Sequence, residues 1–100
     1  MREELDAKLA RFEELEKLLA DPEVLADSQQ LSTVAREHGG LARIVRRYQA
    51  FLAIVREVEE YAEMLSGDDD DFRELAEAEL PNLYKRRDEE WDAILDVCLD

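Results

Sequence analysis

The chain has one cysteine, Cys98, so no disulfide can close within it, which fits a reducing compartment. Only 3 glycines and 2 prolines interrupt 100 residues, a scarcity that suits long helices. No apolar run reaches the ~18 residues of a membrane span. The opening Met1-Arg2-Glu3-Glu4 is polar, with no apolar stretch behind it. Neither a span nor a secretory signal is expected, and the cytoplasm is the expected location. Cations are outnumbered, 13 Lys and Arg against 27 Asp and Glu, for a net charge of −14. That balance excludes a general grip on nucleic acid unless the basic residues are segregated into a patch. With a single histidine, His38, and no second thiol, no catalytic constellation stands out, and neither a cofactor nor a metal site is expected.

What is present is helical. Charged residues make up 40% of a chain rich in Leu, Ala and Glu, and this composition predicts an all-α fold in one domain spanning residues 1–100. The organising stretch is Leu41 to Leu65, in which Leu41, Ile44, Val45, Tyr48, Phe51, Leu52, Val55, Val58, Ala62 and Leu65 recur at helical spacing. Arg43, Arg46, Arg47, Arg56, Glu57, Glu59 and Glu60 fill the other face. An apolar stripe of this length is stable in water only when other helices cover it.

Leu5, Leu9, Phe12, Leu15, Leu18 and Leu19 predict a first helix from Arg2 to Leu19, stopped by Asp21-Pro22-Glu23. A single turn from Pro22 to Leu25 follows. Asp27 then restarts the chain as an N-cap, with Gln30 in the position of a capping-box partner. Leu31, Val34, His38, Leu41 and Val45 keep phase across Gly39-Gly40, so one helix is predicted from Ser28 to Leu65, weakened at the glycines; a true turn there is the alternative. The connection Ser66-Gly67-Asp68-Asp69-Asp70-Asp71 places Gly67 at a left-handed helix terminus and makes Asp71 the next N-cap, boxed with Glu74.

The return helix, predicted from Asp71 to Val97, carries Phe72, Leu75, Leu80, Leu83, Tyr84, Trp91, Ile94, Leu95 and Cys98 on one broad face. Pro81 either kinks it or makes it end near Leu80 and restart. The expected architecture is an elongated antiparallel bundle of three main helices, a long hairpin with the first helix beside it. Phe12, Tyr48, Leu52 and Leu83 are expected in the core.

The lone His38 reads as an exposed or capping residue, and Cys98 as packing. The Asp68–Asp71 run lacks the alternating ligand spacing of a calcium loop. Three basic residues on the central helix, Arg43, Arg46 and Arg47, and a second trio, Lys85, Arg86 and Arg87, are candidates for a basic face. Their competing reading is a solvated surface paired with glutamates.

The wording of the sequence adds a resemblance. Arg11-Phe12-Glu13-Glu14-Leu15-Glu16-Lys17-Leu18-Leu19-Ala20-Asp21-Pro22-Glu23-Val24-Leu25-Ala26-Asp27 resembles the opening of bacterial class I peptide chain release factors. The likeness continues through Leu31-Ser32, Ala35-Arg36-Glu37, Ile44-Val45 and Tyr48. It returns at Met64-Leu65, the acidic loop and Phe72-Arg73-Glu74-Leu75-Ala76-Glu77-Ala78-Glu79-Leu80. It covers nearly the whole chain, with the Asp-Pro-Glu-Val turn the most specific part. His38-Gly39-Gly40, Pro81 and the ending Trp91 to Asp100 depart from the family pattern.

The resemblance implies the non-catalytic N-terminal helical domain of that family, which contacts the factor-binding region of the large ribosomal subunit and the GTPase release factor. The hydrolytic Gly-Gly-Gln motif has no match, since Leu41 follows Gly39-Gly40, and the stop-codon tripeptide is absent. A fragment of a release factor and a free-standing relative of its domain are both consistent with this. Partner contacts are expected from Arg43, Arg46 and Arg47, through which ribosomal RNA could be approached, and from Asp68, Asp69, Asp70 and Asp71, which require a basic protein surface. The alternative function is a coiled-coil-like adaptor that forms a homodimer.

Overall fold

The computed structural model describes residues 1–99; Asp100, which closes the divergent ending, lies outside them. Its helices are α1 (Arg2–Leu19), α2 (Pro22–Ala26), α3 (Ser28–Leu65) and α4 (Asp70–Leu99), with no strand among the described residues. The fold is all-α. The chain divides into two compact units, the first from Met1 to Arg46 and the second from Arg47 onward.

In the first unit α1 and α2 pack on the N-terminal part of α3. Leu5, Phe12, Leu15, Val24, Val34 and Val45 are buried there. Leu15, Val24 and Val34 form one cluster, with the half-buried Leu18, Leu19 and Leu41 against it. The Asp-Pro turn works as its chemistry requires. Asp21 Oδ1 accepts from the backbone N–H of Glu23 at 2.9 Å, while Pro22 at the first helical position sacrifices no intrahelical bond. Asp27 ends α2 and starts α3. Its N–H donates to the Val24 carbonyl, and its Oδ1 accepts from the N–H groups of Gln29 and Gln30, both at 3.1 Å. Because the Asp27 N–H is taken by α2, the reciprocal half of the expected capping box does not form.

The second unit is a helical hairpin of the C-terminal part of α3 and α4. Tyr48, Phe51, Ile54, Ala76, Leu80, Leu83 and Ile94 form its core, and the Phe51 ring meets Trp91 at 5.0 Å. Gly39 and Gly40 lie inside an unbroken α3, so the alternative of a turn is excluded. Likewise α4 runs through Pro81 without ending and restarting. Pro81 and Glu77 are both exposed, so water can satisfy the Glu77 carbonyl that a residue with an N–H would have bonded.

Several positions depart from expectation. Val45, Tyr48, Phe51 and Ile54 are buried at steps of three, and each such step rotates the covered face by ~60° around a helix of 3.6 residues per turn. This rotation buries Ile54 and leaves Leu52 and Val55 only half covered. Gly67 is not in the left-handed region, since no glycine has positive φ among the described residues. The α3 terminus is closed instead by Ser66 N–H to Glu63 O and Gly67 N–H to Met64 O, a tightened last turn that any residue could adopt. The cap of α4 is Asp69 rather than Asp71, because Asp69 Oδ1 accepts from Asp71 N–H at 2.9 Å and Phe72 N–H at 3.3 Å. Phe72, Leu75 and Tyr84 are exposed despite their apolar spacing, and so is Cys98.

Candidate functional site

On α3, Arg43, Arg46 and Arg47 are all exposed; Arg43 and Arg46 belong to the first unit, three positions apart, and Arg47 opens the second. The four aspartates lie at the α3–α4 connection, also exposed, but their carboxylates are not equivalent. Asp69 is committed to the cap. Asp70 Oδ1 accepts from Arg73 Nη1 at 3.1 Å, while Arg73 Nη2 donates to the Gly67 carbonyl at 2.8 Å. Arg73 thereby ties the first turn of α4 back to the loop, leaving Asp68 and Asp71 as the members of the run with no such structural duty. Among the described residues no group of three or more His, Cys, Asp or Glu could hold a metal ion.

The second basic trio lies on α4. Lys85 and Arg86 are exposed, whereas the Arg87 guanidinium stands 5.0 Å from the centre of the Tyr84 ring, with Nε 3.5 Å from Asp88. This aromatic and acidic company partly occupies Arg87.

The first unit holds a contact that the sequence did not signal. Arg11 donates from Nε to Glu37 Oε2 at 2.6 Å and from Nη2 to Glu37 Oε1 at 2.9 Å, a bidentate clamp from α1 to α3; its Nη1 reaches Glu14 at 3.0 Å. Hydrogen bonding from Arg11 holds the Glu37 carboxyl below its ordinary pKa, and the two glutamates raise that of the guanidinium. A partner 26 positions away leaves no local pattern to read. Beside the clamp is an open groove of about 400 Å³ lined by Glu4, Ala7, Lys8, Arg11, Glu37 and Leu41. His38 is half-buried rather than exposed or capping. Its ring stacks on Phe12 at 4.2 Å, and Nε2 stands 3.7 Å from Glu16, beyond hydrogen-bond reach.

Comparison with known proteins decides the family. Residues 8–99 match the PCRF domain. The chain belongs to the PCRF domain family. It is 39% identical over 100 residues to peptide chain release factor 1 of Carboxydothermus hydrogenoformans, covering 99% of this chain and 28% of that protein. It is 35% identical over 86 residues to peptide chain release factor 1 of Lacticaseibacillus casei (85% of this chain, 24% of that protein). Against the Geobacter sulfurreducens factor the identity is 35% over 89 residues (89% and 24%). The PCRF chain thus spans about a quarter of the length of these relatives, which carry the name of the family that the sequence itself resembles. No solved structure matches it.

Proposed function

We propose that this PCRF domain acts in translation termination, in the cytoplasm, as a non-catalytic docking element that contacts the ribosome and the GTPase release factor. The observation that carries the reading is the match along 99% of the chain to a protein named peptide chain release factor 1. The exposed charge clusters supply the means. Arg43, Arg46 and Arg47 offer cations to ribosomal RNA, and Asp68 and Asp71 offer carboxylates to a basic protein surface.

Co-sedimentation with bacterial ribosomes tests this. The wild-type chain is expected to pellet with ribosomes at low salt and to be released as salt is raised. Arg46→Glu/Arg47→Glu and Asp68→Lys/Asp71→Lys report the two surfaces separately. The second pair is chosen because changing Asp69 or Asp70 would remove the α4 cap or the Arg73 tie. A wild-type chain that neither pellets with ribosomes nor binds the GTPase factor overturns the reading.

A further inference from the structure

In the second unit the apolar stripe runs past the end of its own core. Ala76, Leu80, Leu83 and Ile94 are buried on α4, and Phe72, one turn before Ala76 and in phase with it, is 53% exposed. Leu75 is 43% exposed, and Leu65, the last residue of α3, 37%. Single exposed apolar side chains are ordinary. Three at one end of a hairpin, including a phenylalanine, are more than scattered single residues.

The rim of this patch is acidic. Glu63, Asp68, Asp69, Asp70, Asp71, Glu74 and Glu77 surround it in sequence, and the only cation from Glu63 to Glu77 is Arg73. That guanidinium is already held by Asp70 and the Gly67 carbonyl, so it offers little to an incoming anion.

We propose that Leu65, Phe72 and Leu75, rimmed by Asp68, Asp71 and Glu74, dock a basic amphipathic protein segment whose apolar side chains cover Phe72 and Leu75 and whose Lys and Arg residues meet the carboxylates. Charge selects this occupant. A phosphate backbone is repelled by the rim, and a second copy would bring the same negative tip to the contact. A basic apolar segment gains apolar burial and charge complementarity together. The inference rests on reading the acidic loop as a partner-contacting element and names the chemistry of that partner.

The test titrates a labelled leucine–lysine amphipathic helix into the full chain and follows fluorescence anisotropy. Controls are a serine–lysine peptide of equal charge and a leucine–glutamate peptide of equal apolar pattern. The leucine–lysine peptide is expected to bind, the serine–lysine peptide to bind about tenfold more weakly or worse, and the leucine–glutamate peptide not to bind. Phe72→Ser/Leu75→Ser and Asp68→Lys/Asp71→Lys should each weaken binding by about tenfold, with helicity by circular dichroism confirming that both variants fold. Equal binding of the two lysine peptides, or no effect of Phe72→Ser/Leu75→Ser, overturns the proposal. So does a homodimer of the wild type, seen by sedimentation equilibrium, that Phe72→Ser/Leu75→Ser dissolves. Ribosome pelleting separates this proposal from the broader reading. Peptide binding at the tip by a chain that ignores ribosomes sustains the proposal and removes the termination role. Pelleting of the wild type with no binding of the leucine–lysine peptide does the reverse.

Discussion

At the scale of single residues, burial and pairing decide what each side chain contributes. Leu83 is buried to 4% exposure while Leu52 is only half covered, so Leu83→Ala is expected to cost ~2–5 kcal/mol and Leu52→Ala clearly less. Urea titration of both variants checks the order, and equal losses would contradict the rotated face on α3. The Arg11–Glu37 clamp carries a pH signature. Glu37 is held below its ordinary value by Arg11, so its contribution is present above the ordinary glutamate range and is lost as pH falls through the depressed value. Thermal melts of wild type and Glu37→Gln should differ near neutrality and converge in acid; because the pair is exposed, the gap is small. None of this could be read from local sequence, because Arg11 and Glu37 are 26 positions apart.

At the scale of elements, the helices are set by caps and period, and their weak points are visible. Gly39 and Gly40 lie in the interior of α3, and a Cβ built at either meets nothing within 4 Å. Gly39→Ala and Gly40→Ala should therefore each stabilise the chain by about 1 kcal/mol, the usual helix-interior difference between the two residues. A loss of stability on chemical denaturation would show that a close approach to the backbone is needed there. At the other end of α3–α4, Asp69→Ala removes the acceptor for two N–H groups and should cost about 1 kcal/mol, whereas Asp71→Ala should cost less. The Asp run announces a helix start in the sequence. Which of its members caps is decided by where the chain leaves the tightened last turn of α3, and that turn closes without a left-handed glycine among the described residues.

At the scale of the whole molecule, the charge of −14 acts on every part at once. Screening of like charges should raise the midpoint of thermal unfolding as salt is added; a fall would mean that ion pairs such as Arg11–Glu37 outweigh the general repulsion. The sequence by itself determined the all-α class, the bounds of α1 and α3 and the Asp21-Pro22 turn, because periodicity, proline stops and N-caps act between residues a few positions apart; the family came from its resemblance to release factors. It also marked the charge clusters, whose exposure follows from their place opposite the apolar stripe for the arginines of α3 and at the α3–α4 connection for the aspartates. Only the tertiary structure decided that Leu52 is half covered and Ile54 buried, that His38 stacks on Phe12, and that Phe72, Leu75 and Leu65 stand uncovered. Helical phase says which residues share a side, but whether that side is covered depends on how far a neighbouring helix extends, and this is fixed by packing between segments distant in the chain.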